Sequence, residues 1–170
     1  MKTTKLIYLG VLVFLSGIVN ASAPFGSEND VRYASDLWQT MLDAGYAGKD
    51  GLMSRPYIGQ HPHGAILDTI SGKIVIGGKL RDIIVKRNYN GETISIAKVA
   101  SEPAKYLQAI TVMLERPGYD PETGDWFWAK FRTDGSLDTN PEGIMLAGKV
   151  TDCIACHTTA PGGDMIFLRD

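Results

Sequence analysis

The sequence predicts an α+β domain, mainly antiparallel β-sheet with one or two packed helices, and three observations carry that prediction. A stretch near the N-terminus repeats its apolar residues at three- and four-residue intervals. The later chain switches to a period of two in segments rich in β-branched residues, and glycine-bearing turns separate those segments.

Over residues 30–44, Val31, Ala34, Leu37, Trp38, Met41 and Leu42 form the stripe of an amphipathic helix, with Asp30 as its N-cap and Gly45 as its stop. Between 45 and 64 the chain carries Gly48, Gly51, Pro56, Gly59 and Pro62, a punctuation too dense for a long regular element, which predicts an irregular loop. Strands are expected over 74–76, 82–89, 93–99, 109–115 and 126–132. Turns between them fall at Gly77-Gly78, Asn90-Gly91, Pro117-Gly118 and Asp134-Gly135, as in successive hairpins. Asn90-Gly91 is the strongest of these signals, because Asn-Gly supplies the positive φ angles of a two-residue turn.

The first residues read as a leader. Lys2 and Lys5 precede an apolar run over 6–19, shorter than the roughly 20 residues that span a bilayer. Asn20-Ala21-Ser22-Ala23 then offers small residues for cleavage after Ala21 or Ala23. A signal peptide over 1–23 sends residues 24–170 to the periplasm as a single domain, with a retained membrane anchor as the alternative. The 17 basic and 19 acidic side chains nearly balance and form no block of one sign, so neither nucleic acid nor an anionic membrane is an expected partner.

Both cysteines of the chain stand in Cys153-Ile154-Ala155-Cys156-His157, a C-x-x-C-H run. That spacing is the c-type haem attachment signature: each thiol adds to a haem vinyl group, and the next residue, His157, turns its imidazole to the iron as proximal axial ligand. One covalent haem c per chain is therefore expected, with Cys153, Cys156 and His157 as its binding residues. A Cys153–Cys156 disulfide is the alternative; zinc is disfavoured because no second Cys/His pair has suitable spacing. Helical cytochromes c carry this motif near the N-terminus, whereas here only thirteen residues follow His157. The helical cytochromes c′ place it late but need four long helices. A C-terminal haem attachment on a sheet is what remains.

The run Gly118-Tyr119-Asp120-Pro121-Glu122-Thr123-Gly124-Asp125-Trp126-Phe127-Trp128, followed by Asp134-Gly135, Gly148 and the C-x-x-C-H segment, resembles the cytochrome P-460 family. So do Ile84-Val85-Lys86-Arg87-Asn88-Tyr89, Thr111-Val112-Met113, His63-Gly64 and Asp164-Met165-Ile166-Phe167. The resemblance implies a homodimeric antiparallel-sheet fold and one of two activities at an open haem iron. One kind of member oxidises hydroxylamine, often with nitric oxide, through a haem cross-linked to a lysine; the other lacks the cross-link and binds nitric oxide and other small gases. Electrons would pass to a periplasmic electron-transfer cytochrome. The alternative function is electron transfer itself, through a six-coordinate haem without catalysis.

Within that frame, Lys86 is the first candidate for a cross-linking lysine and Lys79 the second, a snorkelling or salt-bridged Lys86 being the other reading. Glu115 is a candidate base beside the iron, or a strand-end glutamate in water. His61 and His63 either approach the iron, as ligand or proton shuttle, or order their loop. Met41, Met53, Met113, Met145 and Met165 are candidate sixth ligands or core packing.

Overall fold

The structure of the protein, a computed structural model, describes residues 24–48 and 51–167; the leader and its cleavage points lie outside the described residues. Helix α1 (Glu28–Asp43) buries Ala34, Leu37 and Met41, the stripe read from its period. Its N-cap is Ser27 and not Asp30. The Ser27 hydroxyl accepts from the Asp30 N–H while the Asp30 carboxylate accepts from the Ser27 N–H, a reciprocal capping box. Asp30 is pulled inward because it also accepts the Tyr119 hydroxyl at 2.9 Å. Gly45, at φ +74°, follows the C-cap Ala44 and ends the helix as expected.

Six strands form one antiparallel meander in chain order: β1 (Tyr57–Ile58), β2 (Ile66–Ile76), β3 (Lys79–Tyr89), β4 (Leu107–Glu115), β5 (Trp126–Arg132) and β6 (Ala147–Gly148). The strand expected at 74–76 is only the end of β2. Asp68, Thr69, Ser71 and Lys73 dilute its apolar pattern, yet β2 pairs with β3 along its whole length around the Gly77-Gly78 turn. Pro117-Gly118 begins a wider β4–β5 connection that includes a 3-10 turn at Pro121–Thr123. Asp134-Gly135 turns the chain back to a Phe131–Leu137 bridge.

The strand expected over 93–99 is a correction. Ser95 caps a short helix there, α2 (Ile96–Ser101), followed by α3 (Pro103–Tyr106), so Asn90-Gly91 leads into helices instead of closing a hairpin. Strand β3 already has β2 and β4 on its two sides, which leaves no edge for a partner after Tyr89. Val99 is instead buried against Ile66, Tyr89 and Tyr106. With α4 (Thr151–His157) the helices number four among the described residues, more than the one or two expected; the α+β class stands.

The pleat divides the sheet into two working faces. Ile83, Val85, Ile110, Val112, Leu114, Phe127 and Phe131 pack under α1, and each fully buried side chain contributes roughly 1.5–3 kcal/mol. Phe127 also meets Tyr33 edge-on at 4.9 Å. Ile84, Met113, Trp126 and Trp128 project from the opposite face and receive α4 through Val150, Cys153 and Ile154. The irregular loop is tied to the α1 face by Arg87, which donates to Tyr46 O at 3.1 Å, to Leu52 O and to the Asp68 carboxylate at 3.4 Å. Asp68, with no exposed surface, also accepts from the Ser54 N–H at 3.0 Å and the Tyr89 hydroxyl at 2.9 Å.

Candidate functional site

Cys153 and Cys156 lie three residues apart on α4 and so project from the same side of the helix, both as free thiols. No side chain caps the helix N-terminus; the apolar cluster with Trp126 and Trp128 anchors it. Cys156 is exposed, and Cys153 is half-buried, its thiol pushed up to about 11 by burial and then by the Asp152 charge. His157 is buried at the end of the helix. Its Nδ1 donates to the Met165 carbonyl at 2.6 Å, which fixes the proton on that nitrogen and leaves Nε2 with a free lone pair.

The carbonyl arrives on a strap that follows α4. Trp126 Nε1 donates to Asp164 O at 3.1 Å, Met165 takes a positive φ of 65°, and Phe167 sets its ring 5.3 Å from that of His157. Trp128 closes the other side, its ring 4.7 Å from the imidazole. Burial lowers the pKa of His157 and the carbonyl bond opposes the shift.

Two lobes of about 120 and 370 Å³ meet at His157 and share Pro62, His63, Lys86 and Cys156 as walls. The larger alone is of the size that holds a small-molecule cofactor. Lys86 reaches the shared wall from β3, opposite Thr111 of β4. Only 8% of Lys86 is exposed, and burial lowers its pKa against a raising influence from Cys156. Lys79 sits exposed beside the Gly77-Gly78 turn and lines neither lobe. The structure thus brings Lys86, and not Lys79, to the cysteines.

His63 enters from the irregular loop. Gly64 makes this possible: a Cβ there would stand 2.4 Å from Tyr89 O and 2.6 Å from Tyr89 N, so only glycine lets the loop lie this close to β3. Asn88, at a register shift between β3 and β4, donates through Nδ2 to Lys86 O, Ala109 O and Thr111 Oγ1. Its Oδ1 is therefore the atom facing His63 Nδ1 at 2.9 Å, so Nδ1 carries the proton and Nε2 is free. Burial, with a further push from Lys86, lowers the pKa of His63 to about 4.

Glu115 shares the face of Thr111 and Met113 but pairs with Trp126 at the strand end and lines neither lobe. Met41 belongs to the α1 core, Met113 and Met165 to the apolar cluster under α4, Met53 to the cluster around Tyr89, and Met145 is exposed. None of the five lines the lobes beside His157. His61 is exposed at the mouth of the larger lobe. A separate cavity of about 220 Å³ lies on the α1 face, and its charged wall, Arg87, is already committed to Asp68.

These residues fit a haem. The thiol pair and a tautomer-fixed imidazole stand at the wall of one apolar space. Trp128 Nε1 there is buried without an acceptor among the described residues, an unmet donor of the kind that a bound group satisfies. No group of three or more His, Cys, Asp or Glu side chains able to hold a bare metal ion occurs among the described residues. The sequence named the segments of Met165 and Asn88 but not their parts here, since a backbone carbonyl and an amide oxygen acting on a distant imidazole leave no spacing signal. Residues 81–168, just over half of the chain, match the family model described as Cytochrome P460. No curated protein and no solved structure matches the chain.

Proposed function

Because the chain belongs to the cytochrome P-460 family, we propose that it is an exported monohaem c-type cytochrome that binds or converts small nitrogen oxides at the iron position opposite His157. Either nitric oxide binding or hydroxylamine oxidation would take place there. The observation that carries this reading is the convergence of Cys153, Cys156, His157 and Lys86 on one apolar space. When bound, the haem supplies an iron with an exchangeable position and a one-electron couple.

The chain's own residues do the rest. Cys153 and Cys156 would hold the haem by adding their S–H groups across its two vinyl groups, each forming a C–S bond with the hydrogen going to the other vinyl carbon and no oxidant consumed. His157 offers Nε2 while the Met165 carbonyl holds its Nδ1 proton, which raises the basicity of the ligand. The low solvation that depresses the Lys86 pKa favours its neutral, nucleophilic amine. Cross-linking that amine to a macrocycle carbon would form a C–N bond with loss of two electrons and two protons, so it would need a two-electron oxidant besides the haem itself. Lys86 and not Glu115 is the residue we assign beside the iron, because Glu115 lies outside the lobes.

Electrons from such a reaction would go to a periplasmic electron-transfer cytochrome. A homodimer is part of the proposal: Val75 and Leu80, paired across the β2–β3 hairpin, are 58% and 60% exposed, and sedimentation velocity reads the result directly. Anaerobic titration of the reduced haem-loaded protein with nitric oxide tests the central reading. One nitric oxide per chain and a changed visible spectrum are expected. An unaltered spectrum at excess nitric oxide would favour the electron-transfer alternative, which the nearness of His63 to His157 also supports.

A further inference from the structure

We infer that His63 is the sixth ligand of the resting iron, a second imidazole that an incoming small molecule must displace. The inference rests on the haem reading of the site and extends it to the opposite axial position.

Three observations on the two imidazoles agree. Each has its Nδ1 proton committed to a fixed oxygen, Asn88 Oδ1 for His63 and Met165 O for His157, so both Nε2 lone pairs are free. Both rings line both lobes of the same cavity. Their centres are 6.4 Å apart, with the ring planes at 84°.

A bound imidazole nitrogen lies about 2.0–2.1 Å from its metal, with the ring centre about 1.1 Å further back, so two imidazoles on one ion stand roughly 6.3 Å apart. The observed separation is that of a pair sharing one metal. Two side chains are too few for a bare ion, and no third carboxylate, thiol or imidazole joins them in a metal-binding group among the described residues. Two is the number a haem iron takes when its macrocycle supplies the other four. The methionines line neither lobe, and Lys86, which lines both, is the cross-linking candidate, which leaves His63 as the second imidazole beside His157.

His63 is held from a loop, whereas His157 is held from a helix, a strap and two aromatic rings. The weaker tether lets His63 leave while His157 stays. Small ligands would then bind at a rate set by departure of His63, and their affinity would fall by the fraction of molecules in which the position is open.

Visible and electron paramagnetic resonance spectra of the haem-loaded protein, with carbon monoxide mixing of its reduced form, test this. The wild-type protein is expected to be low-spin and six-coordinate in both oxidation states, and its carbon monoxide binding rate to level off as the gas concentration rises. His63→Ala is expected to become high-spin, to regain a low-spin spectrum with added imidazole, and to bind carbon monoxide at least about tenfold faster. His61→Ala should leave the wild-type spectra unchanged. A high-spin wild-type haem with a linear rate dependence would overturn the inference while keeping the haem reading; so would a low-spin spectrum that survives in His63→Ala. The rate dependence is read on the wild-type protein, so a linear dependence overturns the inference even where the variant does not fold. A chain that retains no haem overturns both.

Discussion

Asp68→Ala is expected to lower the stability of the fold by about 3 to 5 kcal/mol, the range for removing one partner of a buried ion pair. Asp68 is fully buried and Arg87 nearly so, and the substitution leaves the guanidinium facing Leu52 O and Tyr46 O with no counter-charge. It also strands the Tyr89 hydroxyl and the Ser54 N–H. Urea unfolding reads the loss as a lower midpoint at unchanged slope. The exposed Lys105–Glu102 pair is the comparison: Lys105→Ala should leave the midpoint where it is. Equal midpoints for Asp68→Ala and wild type would show that the ion pair does not hold the loop. Because that loop also delivers His63, the variant should in addition lose order at the cavity.

Lys86→Met is expected to keep two thioether links to the haem and to abolish whatever depends on the amine. In the cross-linked case, the wild-type protein yields a proteolytic haem peptide carrying the Lys86 segment as well as Cys153 and Cys156, together with a red-shifted ferrous Soret band. The variant then loses both and loses hydroxylamine oxidation, with nitric oxide binding retained. Methionine keeps an apolar stem one heavy atom shorter than that of lysine, and at 8% exposure the exchange removes a poorly solvated amine at little packing cost. A haem peptide without the Lys86 segment in the wild-type protein would contradict the cross-link and leave the gas-binding reading in place.

How much of this was legible in the sequence depends on the range of the interaction concerned. Helix α1 was, because Ala34, Leu37 and Met41 state their period locally, and so were the central strands, whose two faces alternate. The N-cap slipped by three residues because Asp30 plays the reciprocal part in a capping box, for which its type is equally suited. Residues 93–99 were misread because the alternation of Ile94 and Ile96 mimics a strand, while the deciding fact, that β3 already has two neighbours, lies in β2 and β4. At the site, C-x-x-C-H names three residues by spacing alone. Lys86 is readable only as a lysine in an apolar strand; its place beside Cys156 comes from the register of β3 on β4 and from α4 docking on that face. His63 depends on its neighbour Gly64, whose fit against Tyr89 only the fold reveals, and on Asn88 and Lys86, which long-range contacts bring to it.

The central claim is that α4 carries a haem by covalent bonds on the face of the sheet opposite α1. The most direct test is the intact mass of the protein after denaturation, beside that of a Cys153→Ala, Cys156→Ala double variant. The expected result is a wild-type mass raised by one haem that survives the denaturant, and a double variant at the mass of the bare chain. A wild-type protein recovered at the bare-chain mass, or with Cys153 and Cys156 joined as a disulfide, would contradict the account.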